Sequence, residues 1–215
     1  MLNVGAGTGS YEPAEREVTA VEPSAVMRAQ RAPDATPCIA AIAEALPFPD
    51  QSFDAAMAVL SDHHWTEPLT GLSEMRRVAR RVVVFTWDLR QIPRFWLVRD
   101  YFPDYAKALA DAPSTIEERA GAIDASVHPV AIPWDCVDGF FHAYWRRPDA
   151  YLDPTVRDAT SAWSRLEPTV VTEAIGKLAD DLESGAWVAR NRELLGLEAA
   201  ELGARLLIAD TGSGG

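Results

Sequence analysis

A short apolar run, Leu2–Val4, leads straight into Gly5-Ala6-Gly7-Thr8-Gly9, and nothing else in the chain limits the fold so tightly. Glycines at alternate positions let the backbone turn sharply and bring it against a ligand with no Cβ in the way. Such a turn at a strand end belongs to open parallel sheets, which bind ligands at the carboxyl ends of their strands. The spacing is G-x-G-x-G, with Ser10 next. It departs from the G-x-G-x-x-G of dinucleotide enzymes and disfavours a nicotinamide-dependent oxidoreductase. Thirteen residues past Gly9, Glu22 closes a second strand candidate, Glu17–Val21. A carboxylate there can accept both ribose hydroxyls of a nucleoside. Glycine turns by themselves are often simple tight turns; the acidic strand end is what adds a ligand.

The first ninety or so residues alternate β-branched runs with helical stretches, the pattern of a parallel α/β sheet. Further strands are expected at Ile39–Ala41, at Phe53–Leu60 as a central strand buried on both faces, and at Val82–Trp87. Leu72, Met75 and Ala79 recur at helical spacing between the last two. Beyond Trp87 aromatic residues crowd in and apolar groups fall at helical spacing. Helices are expected over Phe95–Leu109, Thr115–Ile123, Cys136–Trp145, Pro154–Leu166 and Thr169–Leu182, with a shorter one near Trp187–Leu195. Val127–Ile132 and Ala204–Ala209 read as strands, and the last few residues as a frayed tail. The parse is a sheet domain over residues 1–132 and 201–211, with a helical insertion over 133–200 to which 91–112 contribute.

Twenty Lys and Arg against thirty-two Asp and Glu give a net charge of −12. That field repels phosphate backbones, so the expectation is no nucleic-acid partner and a small-molecule one instead. The basic cluster Arg76, Arg77, Arg80 and Arg81 is explained by a solvated helix end, where the helix dipole favours positive charge. No apolar run reaches the roughly twenty residues of a membrane span. The N-terminal residues do not read as a signal peptide, and Cys38 and Cys136 are too few and too far apart for a metal site. The expectation is a cytoplasmic chain with no membrane contact and no metal.

Four segments together resemble the class I S-adenosylmethionine-dependent methyltransferases, in their small-molecule, type 11-like group. They are Asn3–Gly9, Ala20–Ser24, Ala43–Trp65 and Arg81–Asp88. The resemblance implies a Rossmann-like α/β fold, a seven-stranded, mostly parallel sheet whose last strand is antiparallel. It implies S-adenosyl-L-methionine as cofactor and methyl transfer to a small organic acceptor. By position it places Gly5, Ala6, Gly7 and Gly9 under the methionine part of the cofactor, Glu22 on the ribose and Pro23 at the adenine face. Ala43 and Glu44 match positions at the adenine edge, and Ala58 and Val59 positions beside the amino-acid end. Two departures stand out. Asn3 occupies a position where the family usually has an acid, and Ser10–Arg16 is too short for the usual first crossover helix, so Tyr11-Glu12-Pro13 must close the gap and bring Tyr11 toward the cofactor. Members of the group also carry helices ahead of the first strand. The alternative expectation is therefore a catalytically silent, cofactor-binding relative with a truncated N-terminus, and an uncovered cleft would suit a homodimer.

Methyl transfer is an in-line displacement, so positioning and electrostatics carry most of it, and a base is needed only where the acceptor loses a proton early. Asp62, His63 and His64 follow the fourth strand candidate at the ligand edge. Either imidazole can take a proton from a hydroxyl, with Asp62 orienting it; the structural alternative is that both bind loop backbone or cap the following helix. Trp87 and Asp88 end the fifth strand candidate, where Asp88 either faces the substrate or caps a turn before Pro93. Trp134, Asp135 and Asp138 follow the sixth; Trp134 and Asp138 are candidates for a cationic or hydroxylated acceptor, and Asp135 for the cap of the helix expected next. The many aromatics of the insertion read as helical core or, together, as a lid over an apolar acceptor site.

Overall fold

The computed structural model describes residues 1–105, 114–160 and 162–210. Seven strands form one mixed sheet: β1 (Leu2–Val4), β2 (Thr19–Val21), β3 (Cys38–Ile39), β4 (Phe53–Val59), β5 (Ala79–Trp87), β6 (Ser126–Pro133) and β7 (Ala199–Asp210). Their order is β3-β2-β1-β4-β5-β7-β6, with the last two antiparallel. The register is parallel from β3 through β5, pairing Leu2 with Thr19 on one side and with Ala56 on the other. β4 and β5 carry the longest parallel pairing, Phe53 with Ala79 through Val59 with Phe85. This is the Rossmann-like α/β sheet expected of the sequence. Order reverses beside β1, so the carboxyl ends of β1 and β4 form the crevice where such sheets take ligands.

The chain divides into two compact units: residues 1–88, 113–129 and 205–215, and residues 89–112 with 130–204. The first unit contains α1 (Ala25–Ala29), α2 (Pro68–Val78) and, numbered after α3 of the second unit, α4 (Ile116–Ile123). Its core gathers Leu2, Val4, Ala56, Ala58, Val82 and Val84 from the strands with Leu72, Met75 and Val78 from α2 and Ile116, Ala120 and Ile123 from α4. The helical residues recur every three or four positions, one stripe laid on the sheet. α4 begins with a capping box: Glu118 N–H donates to Thr115 Oγ1 and the Glu118 carboxylate accepts from Thr115 N–H at 2.8 Å. The basic cluster is paired off, with Arg77 bound to Glu74 and Asp50, and Arg81 to Asp210.

The second unit holds α3 (Trp96–Tyr101), α5 (Pro154–Asp158), α6 (Pro168–Glu183) and α7 (Ala186–Arg190). Its core is aromatic: Trp96 meets Trp187 edge-on at 5.1 Å and Tyr151 at 5.7 Å, and Phe141 meets Trp163 at 5.4 Å. Each such pair adds about 0.5–1.5 kcal/mol beyond its buried area. The structure differs here from three sequence expectations. The expected helix is interrupted, not continuous: α3 ends at Tyr101 because Pro103 has no N–H to donate and pushes Phe102 out of helical conformation, residues 103–105 are helical again, and residues 106–109 lie outside the described residues. Cys136–Trp145 is a run of turns, since its carbonyls are taken by distant side chains instead of a helical ladder. Arg147 donates to Cys136 O, Thr160 to Gly139 O, Tyr151 to Phe141 O and Trp96 to Trp145 O. Asp135 therefore caps no helix. Pro154–Leu166 breaks after α5, where Thr160 N–H closes a three-residue turn on Arg157 O; a single turn of 3-10 helix follows at Trp163–Arg165. β6 carries Pro129 and Pro133, which suits its place at the edge of the sheet.

Candidate functional site

Everything assembled at the crevice begins with the backbone of the glycine turn. Gly5, Gly7 and Gly9 all have positive φ, at 69°, 54° and 92°. Gly5 and Ala6 both donate to Val21 O at 2.9 Å, fastening the turn to the end of β2. A side chain at Gly5 would fall 2.6 Å from Ser61 Cβ, so the loop after β4 packs directly on the turn. Ser61 Oγ donates to Val4 O at 3.1 Å across the same contact.

Glu22 is 8% exposed and its two carboxylate oxygens each accept one backbone N–H, from Gly7 at 2.9 Å and from Ser24 at 2.8 Å. A carboxylate offers about two acceptor sites per oxygen, so each oxygen keeps one for a ligand hydroxyl. The spacing suits a ribose diol. Pro23 and Tyr11 are exposed beside the turn, whereas Ala43 and Ala58 are buried in the core and offer a ligand their backbone only. Val59 is half-buried at the end of β4. Glu44 Oε1 accepts from Glu67 N–H at 3.1 Å and so ties the loop after β3 to the start of α2.

The loop after β4 is set by Leu60, whose φ of 51° redirects the chain, and by one turn of 3-10 helix, Asp62–His64. Asp62 is fully buried. Thr86 Oγ1 lies 2.7 and 2.8 Å from its two oxygens, and Arg119 on α4 donates to Oδ2 at 2.8 Å. Ser114 accepts from the same guanidinium at 2.9 Å. Burial pushes the Asp62 carboxyl above the usual carboxylate range, against the pull of Arg119 and Thr86. Of the two imidazoles expected to be oriented by Asp62, His63 has its Nδ1 4.0 Å from Asp62 Oδ1, beyond hydrogen-bond reach. Asp62 instead fixes the backbone that carries the histidines. Their rings lie 4.1 Å apart, His63 half-buried and His64 exposed.

Trp87 and Asp88 end β5 on the same edge, both buried, with Asp88 3.8 Å from Arg205 of β7. The structure thus brings the glycine turn, Glu22, the histidine loop and Asp88 to the carboxyl edge of one sheet. Trp134 and Asp138 belong to the second unit, where Trp134 carries the Arg146 guanidinium 4.9 Å from its ring centre. Among the described residues no group of acidic, His or Cys side chains could hold a metal ion, and no helix is long and apolar enough to cross a membrane.

Arg119 and Thr86 were not singled out from the sequence. A signal for Arg119 existed: it falls on the apolar stripe Ile116, Ala120, Ile123, where an arginine needs a buried anion.

A methyltransferase-domain family profile matches residues 2–85. A methyltransferase assigned to an antibiotic-biosynthesis pathway of Anabaena variabilis is 31% identical, with a TM-score of 0.89 over 97% of this chain and 89% of that one. The geranyl diphosphate C-methyltransferase of Streptomyces coelicolor, solved with S-adenosyl-L-homocysteine, shares the fold at 16% identity and a TM-score of 0.50, over 98% of this chain and 72% of that one. No curated protein matches the chain significantly.

Proposed function

The chain belongs to the class I S-adenosylmethionine-dependent methyltransferases, and from that premise we propose that it methylates a small organic acceptor at the crevice above β1 and β4. The observation that carries this reading is the Glu22 carboxylate, buried at the end of β2 and held by two backbone donors so that both oxygens still accept. When bound, S-adenosylmethionine supplies an electrophilic methyl group on a sulfonium. Glu22 holds the ribose of that cofactor, the Gly5–Gly9 backbone approaches its methionine part, and Pro23 flanks the adenine. Ala43 and Glu44 border the adenine edge, and Ala58 and Val59 the amino-acid end.

On the acceptor side, His63 and His64 hold or take a proton from the atom to be methylated. An imidazole is the side chain most often used for such a proton transfer. Asp62, paired with Arg119, sets where they stand. Asp88 and Trp87 line the same edge as acceptor contacts. Two observations support a small acceptor. A net charge of −12 opposes polyanionic substrates, and the 31% identical relative is assigned to antibiotic biosynthesis, whose products are small molecules.

The test is a methyl-transfer screen with radiolabelled cofactor against hydroxyl- and amine-bearing small molecules. Turnover of one acceptor that His63→Ala or His64→Ala abolishes supports the assignment. Tight cofactor binding with no turnover of any acceptor would instead make the chain a silent relative that only binds the cofactor.

A further inference from the structure

No helix or strand lies between β1 and β2, and the turn segment there is held from the far side by Arg31, just beyond α1. The Arg31 side chain is 5% exposed and that of Glu12 12%. One guanidinium nitrogen donates to both Glu12 oxygens at 2.8 Å and to Thr36 O at 3.1 Å; the other reaches Gly7 O at 3.4 Å. Asn3, buried on β1, donates to the same Glu12 carboxylate at 3.3 Å. The guanidinium also lies against Gly9, where a side chain would fall 3.1 Å from it.

Gly7 is therefore gripped on both sides. Its N–H is bound by Glu22 and its carbonyl is approached by Arg31. Backbone bonds within the segment include single turns, Gly9 N–H to Ala6 O, Glu12 N–H to Gly9 O and Arg16 N–H to Pro13 O. Single turns of this kind do not hold a backbone rigid by themselves, whereas a helix would.

We propose that Arg31 and Glu12 are positioning residues for cofactor binding: a buried ion-paired strut that holds the Gly5–Gly9 turn in its ligand-receiving shape, in place of a first crossover helix. The proposal rests on the function assigned above. A ligand that approaches the backbone of a turn gains most when that backbone is already in place, because the ordering cost has been met in the free protein. The strut ties together three points, the strand residue Asn3, the loop residue Glu12 and the carbonyl of Gly7. Neither member needs to touch the cofactor for this. Glu12 also neutralises Arg31, so the sulfonium is not met by an uncompensated cation.

The experiment compares the unmodified chain with Glu12→Gln, Arg31→Met, the double variant and Arg31→Lys. Each is titrated calorimetrically with S-adenosylmethionine and S-adenosylhomocysteine at a temperature where urea and thermal curves show it fully folded. Amide hydrogen exchange of residues 5–12 is followed in the free proteins. Each single variant is expected to weaken binding of both ligands about tenfold or more. The double variant should be no weaker than the worse single, Arg31→Lys should recover part of the affinity, and exchange at Gly7 and Gly9 should speed up in the singles. A residue that serves global stability alone would leave affinity and local exchange unmoved in folded protein. Wild-type binding with unchanged affinity in both singles overturns the strut and leaves the function standing. Absence of binding by the unmodified chain overturns the function and the strut with it.

Discussion

Replacing Arg119 with methionine removes the guanidinium that neutralises a carboxylate with no access to water. The two side chains are 1% and 0% exposed, and the contact is 2.8 Å. Breaking one partner of such a pair costs about 3–5 kcal/mol, because the other charge stays buried. That is a large share of the roughly 5–15 kcal/mol that holds a domain folded. The variant has one escape, which is to protonate Asp62. Its carboxyl already sits above the ordinary range through burial, and losing Arg119 raises it further. A group whose folded pKa exceeds its unfolded one binds the extra proton in the folded state, so the variant regains stability as pH falls through that folded value toward about 4. The loss should therefore be largest near about pH 8 and shrink by up to about 1.4 kcal/mol per pH unit inside that window. Urea unfolding followed by tryptophan fluorescence and by far-ultraviolet circular dichroism reads it, with coincident curves required before a free energy is quoted. Adding Asp62→Asn removes the stranded charge and should recover more than half of the loss. A cost under about 1 kcal/mol at the higher pH, or a double variant as unstable as the two singles summed, would refute the buried-pair reasoning.

Gly5→Ala should destabilise by about 2–4 kcal/mol, combining left-handed backbone with a Cβ 2.6 Å from Ser61 Cβ, and Ser61→Gly should return part of it; a neutral Gly5→Ala in urea unfolding would contradict the tight approach. His142 is held down to about 3 by burial, with Phe95 and Phe141 rings at 4.5 and 5.4 Å. Below about pH 6.5 the unfolded chain takes up a proton that the folded one refuses, so stability falls as pH falls toward about 3, and His142→Phe should flatten that slope. Parallel pH profiles for the two proteins would count against it. Whichever of His63→Ala and His64→Ala removes the base should lower turnover about a hundredfold or more with cofactor affinity unchanged, read by single-turnover assay and titration; full activity in both would dismiss the histidines.

What was legible in the sequence was local. The glycine turn, Glu22 and the β4 and β5 runs each announce themselves within a few residues, because strand burial on both faces and positive-φ turns demand particular residue types in sequence. What escaped was set by contacts between distant segments. Cys136–Trp145 has helical spacing of aromatics, yet its carbonyls are claimed by Arg147, Tyr151, Thr160 and Trp96, none of which spacing could reveal. Asp62 reads as an orienter of the next residue because the two are adjacent, while its actual partner is Arg119, 57 residues later. Arg31 and Glu12 meet across 19 residues with no periodic signal at all. The same is true of Ser61 pressing on Gly5, which only the closeness of β1 and β4 produces.

The most direct measurement is a calorimetric titration of the unmodified chain and of Glu22→Ala with S-adenosylmethionine and S-adenosylhomocysteine. Saturable one-to-one binding of both by the unmodified chain, weakened about a hundredfold or more in Glu22→Ala, is the expected result, since the variant leaves two ribose hydroxyls and two backbone donors without their shared acceptor. Equal affinity in a folded Glu22→Ala protein, or no binding by the unmodified chain, would contradict the placement of the cofactor on which the whole site depends.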